Sequence, residues 1–453
     1  MSGTVNSMQE LFARAASLLL GNALDVDSDH EARNVLQALE YGLESGNRID
    51  PETTNRAQLL IAASRFARVF ELAAPDAPGL ISFGAQFDPA IADPLHHGSP
   101  IVGVSGVGLT LQQAFQGCIG EGIEYLSQLQ TASDLLLQLG VDDLREELGP
   151  QALELVARLS ERCIQPERAL SWCRATRLAD GGEAWLPADI CLRRPPAQRD
   201  FVPPYPLSIG SAAAPSRDAA ALHGLLELIE RDAASLWWRG GQPARSIPPQ
   251  HAAVGVAEAL LHRLRKGASA ARRTWLLDIT TDIGVPSVAA VSCRADGAGL
   301  AVGLVARPTL EAAVHSAIME LCQIELADVV VAAKRSERGD DALNAQDRAH
   351  LQRAAIDSDA CKLLHPISEY ADHLRFHATE ARIIFEVIAE RLKQLEIDTF
   401  RIDLTRERFA VPVVRVIAPG LQIEPSEIVT PRLQDTIGRT GGGATYTGGI
   451  SLL

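Results

Sequence analysis

Apolar residues recur at three- and four-residue spacing early in the chain, in NVLQALEYGL at 34–43 and RAQLLIAASRFARVFELAA at 56–74. That period puts them on one face of a helix, so residues 8 to about 75 read as helices joined by polar connections. The stretch APDAPGLISFGAQFDPAIADP from Ala74 is dense in proline and glycine, ends this region, and sets a boundary near 85–100. From Ile101 the pattern changes. Trp275–Thr280 and Val285–Cys293 are apolar, β-branched runs joined by a short Asp/Gly turn, which predicts a hairpin. Leu300–Ala306, Thr399–Leu404 and Val411–Ala418 predict further strands, and Ala381–Leu395 an amphipathic helix. Strands interleaved with helices imply an α+β fold of mixed sheets and helices behind an N-terminal helical region. The expected division is 1–90 helical, 91–435 the main domain, and 436–453 a tail. From Gly438 that tail holds six glycines in sixteen residues, which predicts a flexible or late-ordering segment.

Three of the predicted helices repeat one pattern. Thr110, Ala114 and Glu121 are spaced by four residues and then seven, as are Ser216, Ala220 and Glu227, and Thr309, Ala313 and Glu320. Three residues further on stand Glu124, Glu230 and Gln323. Thr110, Ser216 and Thr309 are natural N-caps, and Gln113 completes a capping-box spacing with Thr110. A carboxylate pair at i and i+3 projects from one side of a helix, here beside apolar residues, where it is costly without cations or donors. Four such carboxylates, Glu121, Glu124, Glu227 and Glu230, form a hard-oxygen set suited to Mg²⁺, which takes the rest of its shell from water and phosphates. For one helix alone, outward-facing acids paired with Arg231 or Arg239 explain the pattern as well; three repeats at one spacing favour the shared site.

Composition narrows the picture little. The 453 residues are 47% apolar and 22% charged, which is ordinary for a globular chain long enough for two or three subdomains. A formal charge of −15 argues against a nucleic-acid or anionic-membrane partner. No apolar run approaches the about 20 residues of a membrane span, and the N-terminus lacks secretory-signal features. The seven cysteines form no CxxC pair, which implies reduced, mostly buried thiols in a cytoplasmic protein. His96 and His97, in a Pro/Gly-flanked stretch, read as a solvated loop. No GxxxxGK[ST], strand-linked GxGxxG or kinase signature is present, and Ser105-Gly106-Val107-Gly108 reads as a turn able to offer amides to an anion.

The chain resembles the YcaO family. The resemblance is carried by SGVGLTLQQAFQGCIGEGIEYLS at 105–127, LSIGSAAAPSRDAAALHGLLELIERDAASLWW at 207–238 and WLLDITTDIGVPSVAAVSC at 275–293, followed by GLVARPTLEAAVHSAIMELCQ at 303–323 and VPVVRVIAPGL at 411–421. It implies ATP and Mg²⁺ as cofactors, with Glu121, Glu124, Glu227 and Glu230 at the metal. It further implies Ser105, Gly108, Asp218, His223, Arg231, Glu320 and Gln323 near the nucleotide. The implied activity is phosphorylation of a peptide backbone amide oxygen followed by nucleophilic attack at the same carbon. A Cys, Ser or Thr side chain of the substrate as nucleophile gives an azoline (the precursor of a thiazole or oxazole), and external sulfide gives a thioamide.

The departures from the family pattern cluster around the nucleotide. Gly117 and Tyr125 stand where the first motif has Ser and the Arg of Glu-Arg; Val107 replaces a lysine; Ser208-Ile209-Gly210 replaces Ser-Asn-Gly. Ala212, Ala219 and His223 occupy places of a Ser, a Glu and a Gln, with Asp218 a substitute for the glutamate. The proline-rich C-terminus of azoline-forming members is absent. The expected function is cyclodehydration of a ribosomal precursor peptide. Thioamide formation with a TfuA-like partner and a non-catalytic scaffold are the alternatives. Nothing in the N-terminal helices resembles a leader-binding or E1-like module, so leader recognition is expected from a separate partner protein, and a homodimer is left open.

Overall fold

The computed structural model describes residues 7–22, 29–42, 50–144, 148, 150–164, 168–266, 272–366 and 373–452. Three helices open the chain: α1 (Met8–Leu19), α2 (His30–Ala38) and α3 (Pro51–Ala63). Ser7, Asp29 and Asp50 cap them by accepting first-turn amides. The helix expected over 56–74 stops at Ala63, and Arg68–Leu72 is a strand, β1. The reason is tertiary: β1 pairs antiparallel with β2 (Ile81–Phe87), where Gly84 leaves room for the Phe70 ring. β2 in turn pairs with β3 (Val102–Gly108) from Ile81↔Gly108 to Phe87↔Val102. The expected boundary at 85–100 therefore falls inside a sheet. Phe12, Phe66, Phe87 and Phe115 belong to one core that joins the N-terminal helices to this sheet and to α4 (Leu111–Gln128).

The largest sheet holds β4 (Leu137–Leu139), β5 (Leu170–Arg177), β6 (Glu183–Pro187), β7 (Ser211–Ala213), β11 (Phe400–Asp403) and β12 (Val413–Ile417). Its order is β4-β5-β11-β12-β7, with β6 on β5. The expected hairpin is present as β8 (Arg272–Asp278) and β9 (Ser287–Arg294), extended by β10 (Ala301–Ala306) into a three-stranded antiparallel sheet. Helices fill the remaining space: α5 (Pro150–Ser160), α6 (Ala188–Cys191), α7 (Arg217–Trp238), α8 (Ala252–Arg265), α9 (Leu310–Arg338), α10 (Ala345–Ala354), α11 (Ala381–Gln394), α12 (Pro431–Thr440) and α13 (Ala444–Thr447). The fold is α+β.

Three further expectations change. The glycine-rich tail is folded, not flexible: the Trp238 indole N–H donates to Ile450 O at 2.7 Å, and Leu452 is buried. A Cβ on Gly443 would lie 1.7 Å from the Trp238 carbonyl, so glycine serves close approach there. His96 is buried, its Nε2 2.8 Å from Gln130 O, while His97 is exposed. Ser105–Gly108 is strand, not turn. The seven cysteines are free, and all but Cys163 are buried.

Candidate functional site

The repeated unit is larger than a helix. Each acid-bearing helix follows a strand almost directly: β3 leads into α4, β7 into α7 and β10 into α9. Thr110, Ser216 and Thr309 cap the helices as expected, accepting from Gln113, Ala219 and Ala312. Gln113 reaches one residue beyond the usual capping box and accepts from Leu109 N at 2.9 Å. Ala114, Ala220 and Ala313 are fully buried where helix meets strand. Glycines make that approach possible. A Cβ on Gly106 would meet Cys118 N at 2.1 Å, one on Gly303 would meet Ala317 O at 2.2 Å, and one on Gly224 would meet Gly210 O at 2.5 Å.

Close packing puts the first glutamate of each helix within reach of the backbone before it. Ser105 N donates to Glu121 at 3.0 Å, Gly210 N donates to Glu227 at 3.0 Å, and Leu304 N does the same for Glu320. Glu320 is thus the counterpart of Glu121 and Glu227. Of the second members, Glu124 accepts from Gln128 at 3.2 Å, Glu230 lies 3.5 Å from Arg231, and Gln323 donates to Ser105 Oγ at 2.9 Å. Arg231 also donates to Glu227 at 3.3 Å.

The electrostatics tie the helices together. Glu227 raises the carboxyls of Glu121, Glu124, Glu230 and Glu320, so all four feel its charge. Burial is the leading cause in each case. It carries Glu121 up to about 7 against the Ser105 N–H, and Glu230 up to about 8 against Arg231. Burial likewise carries Glu320 to about 7 against Arg231 and Arg307, and holds Glu124 well above the carboxylate range. Glu121 is nevertheless exposed to solvent on one side, although protein atoms crowd its carboxyl. Burial and mutual repulsion make it unfavourable for these acids to ionise together, which is the condition a bound divalent cation relieves. Among the described residues no three His, Cys, Asp or Glu close around one point as a ready-made metal cage. The carboxylate oxygens are of the donor type that Mg²⁺ takes, with waters and the phosphate oxygens of a nucleotide completing its shell.

The remaining expected residues divide. His223 lies one turn before Glu227 on α7, exposed to solvent on one side, its imidazole pushed down by the protein crowding its other side and by Arg307. Asp218 lies in the first turn of α7 and makes no hydrogen bond to the acids among the described residues. Gly108 packs on the first turn of α4, where a Cβ would sit 2.5 Å from Gln113. Sequence reading missed three cations. Arg307, before the Thr309 cap, faces Glu230 and Glu320; Arg193 and Arg415 face Glu124. Arg415 on β12 is 1% exposed, its guanidinium pushed down by burial, and its Nε has no hydrogen-bond partner among the described residues. Only its place in the VPVVRVIAPGL block signalled it. A cleft of about 1480 Å³ lined by α12 and Asp282 contains none of these acids.

The profile of a family described as YcaO cyclodehydratase, ATP- and Mg²⁺-binding, matches residues 105–422. The chain belongs to the YcaO family. ATP and Mg²⁺ are the cofactors of that family. An uncharacterised Methanothermobacter thermautotrophicus protein is 27% identical over 336 residues, 70% of this chain and 81% of its own. An uncharacterised protein from the tfuA 3′ region of Rhizobium leguminosarum bv. trifolii is 26% identical over 342 residues, 71% of this chain and 77% of its own. Among solved structures, a heterocyclase in complex with substrate and cofactor superposes with a TM-score of 0.67 at 21% identity. That match covers 88% of this chain, which spans only 56% of the heterocyclase. YcaO from Methanopyrus kandleri, bound with AMPPCP and Mg²⁺, gives a TM-score of 0.55 at 19% identity, covering 84% and 96% of the two chains. Both share the YcaO fold. No described helix is long and apolar enough to cross a membrane.

Proposed function

We propose that this YcaO protein uses ATP and Mg²⁺ to activate backbone amides of a ribosomal precursor peptide and converts Cys, Ser or Thr residues to azolines. The observation that carries the reading is the grouping around Glu227 of acids from three capped helices, carboxyls that resist ionising together. In it Glu121, Glu124, Glu227 and Glu230 hold the metal. Ser105, Gly108, Asp218, His223, Arg231, Glu320 and Gln323 border the nucleotide. ATP supplies the phosphoryl group that makes the amide oxygen a leaving group, and the site contributes positioning and charge neutralisation. A partner protein presents the peptide, a role consistent with a neighbouring fold in the E. coli microcin synthetase McbBCD complex.

A second product is favoured by one specific observation: the relative from a tfuA region supports sulfide as nucleophile, with a TfuA-like partner and a thioamide as outcome. Incubating the chain with ATP, Mg²⁺, peptide and each candidate partner separates the readings by mass. A loss of about 18 Da per site means an azoline, and a gain of about 16 Da means oxygen-to-sulfur exchange. Absence of phosphate release with every partner contradicts both and supports a scaffold.

A further inference from the structure

Arg193, on the segment leaving α6, is bound to the last turn of α4 through its backbone and its side chain. Its N–H donates to Gln128 O at 2.7 Å, and its carbonyl accepts from Gln130 N at 3.0 Å. Its Nε donates to the Gln128 side-chain oxygen at 2.7 Å, and its guanidinium carbon lies 4.4 Å from the centre of the Tyr125 ring. Gln128 is 1% exposed and passes its own amide N–H to Glu124 at 3.2 Å.

The direction of this chain follows from what each group can do. A guanidinium only donates, so Gln128 must turn its oxygen towards Arg193. Its NH₂ is then left facing Glu124. Without that constraint the amide could rotate and present an oxygen to the carboxylate, which repels it. Stacking on Tyr125 holds the guanidinium where the constraint operates, and the charge also opposes the burial of Glu124.

We propose that Arg193 is a positioning residue for Glu124, acting through the Gln128 amide to fix the carboxylate that faces the metal–nucleotide complex. The proposal rests on the reading of Glu124 as a metal ligand. Such supporting partners typically change metal affinity about tenfold or more when removed. A residue that merely ties the end of α4 to its neighbour changes stability and leaves the metal requirement as it was.

The test is calorimetric titration of the full chain with the non-hydrolysable analogue AMPPNP over a series of Mg²⁺ concentrations. Arg193→Met and Gln128→Met should each raise the Mg²⁺ needed for half-maximal binding about tenfold, and the double variant no further. Arg193→Lys, which keeps a donor for Gln128, should stay within about threefold of the parent. Gln128→Met leaves the Arg193 backbone contacts alone, so it decides the matter if Arg193→Met fails to fold. An unchanged Mg²⁺ requirement in Gln128→Met, or additive effects of the two substitutions, overturns the proposal. Glu124→Gln separates the two levels. If it abolishes the Mg²⁺ dependence while the Arg193 and Gln128 variants do not change it, the metal reading stands and the positioning role falls. If Glu124→Gln leaves Mg²⁺ dependence intact, the metal reading falls and takes the positioning role with it.

Discussion

Helix α9 carries two glutamates, Glu325 buried and Glu320 half-buried, whose surroundings differ sharply. Glu325 is 1% exposed and fully provided for: Arg265 Nη2 donates to it at 2.8 Å, Ser292 Oγ donates at 2.6 Å, and Arg272 Nε pairs with it electrostatically at 3.1 Å. Glu320 has a backbone N–H and two arginines that it shares with Glu230, and burial still carries it to about 7. A buried acid with a full complement of donors ties elements together, here α9 to α8, β8 and β9. An acid with too few donors is unfinished, and a ligand completes it. The two differ in exposure as well as in donor count: Glu325 is sealed off, and Glu320 keeps a solvent-facing side.

The largest expected effect breaks the structural member of the pair. Glu325→Gln leaves Arg265 and Arg272 buried without their counter-charge, so unfolding should become easier by about 3–5 kcal/mol, read by chemical denaturation. Glu230→Gln is the opposite case: phosphate release should fall at least about 100-fold, roughly 2.7 kcal/mol. Above about pH 8, where Glu230 is ionised, the variant's melting temperature without ligands should rise, by about 2–4 °C for each ~1 kcal/mol gained, because a neutral group replaces a buried charge. Arg307→Met should cost about 1 kcal/mol of stability or less, since among the described residues its side chain hydrogen-bonds only the neighbouring Ala306 carbonyl, at 2.8 Å. Nucleotide affinity should suffer more than stability in that variant, by about tenfold, when both are measured.

The smallest effect is a slope with pH. The folded-state values of about 7 for Glu320 and about 8 for Glu230 lie above an unfolded glutamate's. Between about 4.3 and those values the folded chain holds more protons than the unfolded one, so stability falls as pH rises through that window. The unliganded chain should lose a few degrees of melting temperature across it. Mg²⁺ with AMPPNP should flatten the slope, and Glu230→Gln should reduce it.

Much of this was legible in the chain because it is local. N-caps, the four-then-seven spacing and the acid pairs at i, i+3 are properties of single helices, and Thr110, Ser216 and Thr309 cap as expected. The hairpin and the later strands were likewise carried by β-branched runs. What escaped was tertiary. β1 carries the tail of a helical period and becomes a strand because β2 offers it a partner. Arg193, Arg307 and Arg415 come from separate elements, and no spacing links them to the acids they face. The tail's glycines suggested mobility, whereas Gly441, Gly442, Gly448 and Gly449 adopt positive φ and Gly443 admits the Trp238 carbonyl. Composition cannot tell glycine used for freedom from glycine used for proximity.

The central claim, that acids of α4, α7 and α9 form one metal–nucleotide site, is tested most directly at Glu227. AMPPNP titrated into the wild-type chain should bind much more tightly with Mg²⁺ than without. In Glu227→Gln that Mg²⁺ enhancement should disappear while the unliganded chain stays folded. Full Mg²⁺-dependent binding by a folded Glu227→Gln variant would contradict the account.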